Sequence, residues 1–267
     1  MKPSILRLSL AALAASVGLA CVQVAAAADA PPAAPPKPYN IPPGTADYVV
    51  QAVKSPDRPA KDVARDADRK PAELLTLSGV KPGDHLVEFA SFGQYFTHLL
   101  SSVVGPKGSV YMLDLPYLEQ RTGADSRAFA ASHPNSEYHN EDYNAAVLPR
   151  NLDEVFMVLY YHDLGLNKID TGALNAKIFR ALKPGGIYFV VDHNARPGSG
   201  REDTQKLHRI DPAVVKQEIL AAGFELVTES KLLANPEDDH TWLVFTPGKR
   251  GTTDQTVWKF RKPLKAK

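Results

Sequence analysis

Two short stretches place histidine beside carboxylate at the ends of apolar runs: Tyr161-His162-Asp163 after residues 152–160, and Asp192-His193 after residues 187–191. Imidazole is the side chain that titrates nearest neutrality, so His162 or His193 is a candidate general base. Asp163 would orient one of them or hold a substrate. Two further carboxylates close apolar runs earlier in the chain: Glu88 within residues 85–89 and Asp114 after residues 108–113.

The segment Ala90-Ser91-Phe92-Gly93-Gln94 joins the first of these runs to a helix opening at Tyr95. A strand, a turn and a helix with an acid at the strand end is the opening of a doubly wound nucleotide-binding fold. Glycines in such a turn let the backbone approach a ligand and take positive φ. Only Gly93 remains here. Phe92 and Gln94 are expected to impair the grip, because a Cβ held at positive φ costs about 1–2 kcal/mol and a phenyl ring can fill ligand space.

His208, Asp211 and His240 follow in loops that could reach the same rim. Asp211 before Pro212 reads more simply as a helix N-cap with proline at the first helical position. Histidines with carboxylates are a valid divalent-metal set, but no HExxH-type spacing or Cys/His pair is present, so no metal is expected. The chain also lacks a Gly-x-Ser-x-Gly elbow and a phosphate-loop lysine motif, against hydrolase and NTPase readings. Pro197-Gly198-Ser199-Gly200 reads as a mobile loop over the rim. Tyr160 and Tyr161 are expected to alternate, one into the core and one away from it.

These groups need a sheet to bring them together. Strands are expected at 85–89, 108–114, 136–139, 152–161, 187–192, 224–229 and 256–260, with helical stretches at 61–70, 71–79, after Tyr95, up to Leu182 and at 214–222. Apolar strands alternating with helices argue for an α/β fold, a doubly wound, mainly parallel sheet covered on both faces. The short final connections suit an antiparallel strand at one edge.

Lys2 and Arg7, the apolar run 8–24 and the alanines at 25–28 form an export-signal pattern, which places the mature protein in the periplasm or outside the cell. The only cysteine, Cys21, lies within it, and Gly18 stands where a lipobox carries leucine, so a lipoprotein is disfavoured. Residues 29–56 are rich in Pro and Ala and read as an extended tether, leaving residues 57–267 as one domain. No other apolar stretch approaches the roughly 20 residues of a membrane span. With 31 Lys and Arg against 30 Asp and Glu, no net field attracts nucleic acid.

Leu182-Lys183-Pro184-Gly185-Gly186 before the fifth strand and Ala222-Gly223-Phe224 before the sixth resemble the class I S-adenosylmethionine-dependent methyltransferases. The phrases at 65–71, 161–164, 191–193, 207–211 and 238–241 are similar to an exported bacterial group of that family. The resemblance covers residues 60–262 and implies a seven-stranded Rossmann-like sheet. It implies S-adenosylmethionine as cofactor, with Glu88 near its amino-acid end, Gly93 (beside Phe92) beneath its sulfonium and ribose, Asp114 on the ribose hydroxyls and Asp142 near the adenine. The implied activity is methyl transfer to a small molecule. A non-catalytic ligand-binding or interaction protein on the same fold is the competing expectation, since fold does not license function.

Overall fold

The computed structural model describes residues 37–264; the expected export signal, Cys21 and the start of the tether lie outside them. Seven strands form one sheet: β1 (His85–Phe89), β2 (Ser109–Asp114), β3 (Ser136–Asn140), β4 (Leu152–Val158), β5 (Leu182–His193), β6 (Glu225–Ser230) and β7 (Gln255–Arg261). Their order is β3-β2-β1-β4-β5-β7-β6. The pairs among β1 to β5 are parallel. β7 runs antiparallel to both its neighbours, one place in from the rim, with β6 outermost.

Side chains alternate across the sheet. Val87 and Phe89 join one core and Leu86 the other, as the period of two requires. On the second face lie α1 (Asp47–Val53), α4 (Pro71–Ser78), α5 (Tyr95–Val104) and α6 (Ala124–Ser132). The short helices α2 (Ala60–Val63) and α3 (Asp66–Arg69) precede α4. The first face is covered by α7 (Thr171–Ala181) and α9 (Pro212–Ala221), with α8 (Thr204–Leu207) leading into α9.

Three sequence expectations need correction. The fold begins before residue 57: Val49, Ala52 and Val53 of α1 are buried, so apolar spacing overrides the Pro-rich context. The charged stretch 61–70 is two short helices, because Asp66 turns inward to Arg58 at 2.6 and 2.8 Å and to the Tyr95 hydroxyl at 2.6 Å. The fourth strand stops at Val158, where Leu159 takes φ 57°. Strand alternation ends with it, and both Tyr160 and Tyr161 are buried.

The order reverses between β1 and β4, and the carboxyl ends of adjacent strands at such a reversal enclose a crevice. The 90–94 turn leaves β1 there and the 159–163 segment leaves β4.

Candidate functional site

The turn after β1 is held by its neighbours. The Tyr143 hydroxyl accepts the Ala90 N–H at 3.0 Å and donates to the Leu113 carbonyl at 2.9 Å. Asp114, fully buried at the end of β2, accepts the Ser91 hydroxyl at 3.1 Å and the Phe92 N–H at 3.2 Å, both on Oδ1. Its Oδ2 is buried without a hydrogen-bond partner. Burial pushes this carboxyl up to about 6, against the lowering by its two donors. Glu88, on the face of β1 that it shares with Leu86, accepts the Thr97 hydroxyl at 2.7 Å. Burial first, then the Asp114 charge, pushes it up to about 8, while Thr97 and Arg69 act the other way.

Positive φ falls at Ala90 (57°), Gly93 (80°) and Gln94 (52°), and not at Phe92. The Phe92 ring packs against the core, its centroid 6.0 Å from that of Tyr160. A Cβ on Gly93 would meet nothing within 4 Å, so open space remains above it. The expected strain is therefore present at Gln94 and also at Ala90, while Phe92 is folded back. Gln94 is further engaged through Nε2 to Ser126 at 2.8 Å.

Asp192 organises the second cluster. Its carboxylate accepts the His162 N–H at 2.7 Å, His162 Nδ1 at 2.6 Å and the His193 N–H at 2.7 Å. With the Nδ1 proton committed to Asp192, the free lone pair of His162 is on Nε2. That atom lies 3.3 Å from Asp163 Oδ1, and His208 Nδ1 lies 3.0 Å from the same oxygen. Burial works to lower the His162 pKa, but the Asp192 charge and hydrogen bond outweigh it and the net shift is upward. His193 moves the other way, pushed well down by burial and by His162, and its Nδ1 meets Thr253 Oγ1 at 2.8 Å. Neighbouring imidazoles driven apart in this way mark a site built for proton or ligand chemistry.

The structure thus brings together His162, Asp163, Asp192, His193 and His208. It separates Asp211 and His240 from them. Asp211 caps α9, accepting the Ala213 N–H at 2.9 Å, and its other oxygen accepts the Gly198 N–H at 2.7 Å. The 197–200 segment is therefore tied down, contrary to the mobile loop expected. His240 Nε2 pairs with Asp254 at 3.0 Å. Asp142 is exposed and closes its own turn on the Asn144 N–H at 2.9 Å; its neighbour Tyr143 is the residue that reaches the 90–94 turn. Sequence reading passed over Tyr143, Thr97 and Ser91, whose types carry no chemical signal until the fold sets them against Asp114 and Glu88.

Two open clefts, about 480 and 570 Å³, lie elsewhere, one beside His98 and His133 and the other beside Lys177 and Lys262. Neither is lined by the turn or by the histidine cluster. Convergent polar atoms and shifted titrations, more than open volume, mark the strand ends as the candidate site.

Comparison with known proteins bears on the fold. No protein-family model matches the chain. The ubiquinone/menaquinone biosynthesis C-methyltransferase UbiE of Ectopseudomonas mendocina is 28% identical over 127 residues, 47% of each chain. Its counterpart in Pasteurella multocida is 27% identical over 189 residues, 60% of this chain and 69% of that one. The chain spans about half the length of the first of these relatives. Among solved structures, a SAM-dependent methyltransferase from Aquifex aeolicus superimposes with TM-score 0.55 at 19% identity, over 78% of this chain and 96% of that one. The [4+2]-cyclase SpnF gives TM-score 0.57 at 14% identity, over 81% and 92%. At such identities the structural likeness establishes the fold alone.

Proposed function

We propose that the chain, which carries the class I methyltransferase fold and is similar to C-methyltransferases, binds S-adenosylmethionine over the 90–94 turn and methylates a small molecule held at the histidine cluster. The observation that carries this is Asp114: a buried carboxylate with one oxygen holding the turn and the other, Oδ2, lacking any donor. A buried acceptor without a partner costs about 1–3 kcal/mol, and a ribose hydroxyl is the donor this cofactor brings. The open space above Gly93 fits the same ligand.

When bound, the cofactor supplies an electrophilic methyl group on sulfur. Asp114 would anchor the ribose, and Glu88 would meet the cationic amino-acid end, giving up its proton as it does so. His162 presents its Nε2 lone pair where an acceptor can lose a proton or be held. The acceptor atom must lie about 3–3.5 Å from the methyl carbon and in line with the bond that breaks.

Calorimetry of the purified protein with S-adenosylmethionine tests this reading. Saturable binding is expected, weakened about tenfold or more in Asp114→Asn, since a bond to a charged group contributes about 1.5–3 kcal/mol. Absence of binding would favour the second reading, a ligand-binding protein without turnover. That reading draws support from a turn already closed by its own carboxylate.

We also propose that the protein acts after export, on the pattern of Lys2, Arg7, the apolar run and the alanines up to Ala28. Intact-mass measurement of the envelope form is expected to show a chain beginning near Asp29; retention of Met1 would refute it.

A further inference from the structure

We propose that His162 Nε2, Asp163 Oδ1 and His208 Nδ1 form a binding site for one divalent transition-metal ion. The three residues come from the segment after β4 and from the C-cap of α8, and their ligand atoms all lie within 4.8 Å of one another. Two edges, 3.3 Å from Asp163 Oδ1 to His162 and 3.0 Å to His208, fall in the range of a metal polyhedron, and the third, between the two imidazoles, is within 4.8 Å. Ligand bonds of about 2.0–2.1 Å give edges of about 3.3–3.4 Å in a tetrahedron and about 2.9 Å in an octahedron.

Two of these atoms have nothing else to do. Asp163 Oδ1 and His208 Nδ1 are both buried, and neither makes a hydrogen bond, even though they are 3.0 Å apart. Their separation suits a hydrogen bond while their orientation does not, which leaves both atoms free for another partner. An unmet polar atom of this kind costs about 1–3 kcal/mol. His208 adds backbone strain, since it holds φ 53° as a non-glycine residue. Strain and orphaned atoms at one place are both offset when an ion binds there.

The surroundings supply what a histidine ligand needs. His162 gives its Nδ1 proton to Asp192 at 2.6 Å, fixing the tautomer and the ring so that Nε2 faces Asp163. This carboxylate–histidine relay is the arrangement that orients metal-bound imidazole. His193 stands outside this group of ligand atoms, and its Nδ1 meets Thr253 Oγ1. Two imidazoles and one carboxylate without thiolate select ions such as Zn²⁺, Co²⁺, Mn²⁺ or Fe²⁺ over Mg²⁺ and Ca²⁺, which demand oxygen. Three protein ligands leave an open position for an oxygen donor, water or an acceptor hydroxyl. The proposal deepens the methyltransferase reading, because the lone pair of His162 would then hold an ion in place of a proton. The sequence offers the histidines and carboxylates of this rim as a possible ligand set but does not select these three, since His208 stands 45 residues beyond Asp163 with no fixed motif spacing.

The test is titration of Co²⁺ into the chelator-stripped, full-length purified protein, followed by visible absorption, with Zn²⁺ as competitor. One equivalent is expected to bind and to be displaced by Zn²⁺. His208→Ala and Asp163→Ala should each weaken binding roughly 100-fold or more, and His208→Gln, which keeps a polar side chain of similar reach, should do the same. Circular dichroism checks that each variant is folded. Folded unmodified protein that takes up no Co²⁺, or equal affinity in a folded His208 variant, would overturn the proposal and leave an ordinary Asp163–His208 ion pair. S-adenosylmethionine binding is measured calorimetrically on the same samples, so loss of the metal site and loss of the methyltransferase reading are told apart.

Discussion

His162 and Asp192 are joined by two hydrogen bonds, the main-chain N–H of His162 to Oδ2 at 2.7 Å and its Nδ1 to Oδ1 at 2.6 Å. One carboxylate thereby fixes both the backbone after β4 and the ring that this backbone carries. The arrangement spans adjacent strands of the sheet, so the ring's position is set by the register of β4 against β5.

Asp192→Asn keeps the shape but removes the charge that three N–H groups share. The variant is expected to lose about 1.5–3 kcal/mol of stability in urea unfolding, the worth of a hydrogen bond to a charged group. Nitrogen NMR of the His162 ring should show that the Nδ1-protonated tautomer is no longer dominant. An unchanged tautomer would mean that Asp192 supports the strand ends only.

Glu88 makes stability depend on pH. Its folded pKa of about 8 lies above the ordinary value of 4.5, so between these values the folded chain holds a proton that the unfolded chain has released. The difference in bound protons, unfolded minus folded, is negative, and this group's contribution falls as pH rises, by at most about 1.4 kcal/mol per unit. Glu88→Gln retains an acceptor for Thr97 and removes the proton. Its melting temperature should vary less between pH 5 and 8 than that of the unmodified protein and should exceed it at pH 8. Parallel curves for the two would show that Glu88 is charged in the folded state.

Arg209 and Asp238 form a fully buried bidentate pair at 2.9 and 3.1 Å. Arg209 also donates to the carbonyls of Asn194 and Trp242, tying the 235–254 segment to the end of β5. That segment supplies Thr253 to His193. Asp238→Ala leaves a buried guanidinium without its partner and should cost about 3–5 kcal/mol. The double change Arg209→Met with Asp238→Leu should cost less than the single one, which denaturant titration of both variants measures.

Much of this was legible in the sequence because period and punctuation set it. Apolar runs marked β1, β2, β4 and β5, Asp211-Pro212 marked the start of α9, and the acids of β1, β2 and β5 lay near the carboxyl ends of their strands. What was not legible depends on partners distant in the chain. Ser91 and Tyr143 become part of the turn only when β2 and the 142–146 segment close on it. Tyr160 and Tyr161 escaped the alternation rule because Leu159 leaves the strand conformation, and nothing in its residue type announces φ 57°.

The same reasoning decides what the 90–94 turn does to cofactor binding. If the Phe92 ring occupied ligand space, Phe92→Gly would tighten S-adenosylmethionine binding. The ring instead lies on the core beside Tyr160, and its own φ is not positive. Removing it should therefore lower stability by about 1–2 kcal/mol for lost apolar burial and leave affinity unchanged or weaker. Ala90 is where glycine should help. Relief of about 1–2 kcal/mol of strain at φ 57°, less about 0.5–1 kcal/mol of added unfolded-chain entropy, leaves a net gain of about 0.5–1 kcal/mol. Gln94→Gly gains similarly but gives up the Ser126 bond, worth about 1 kcal/mol, so it should come out near zero. Thermal unfolding ranks the three variants and calorimetry reads their affinities. Tightening of fivefold or more in Phe92→Gly alone would show that the ring does block the cofactor and that the turn, as it stands, is a damaged grip.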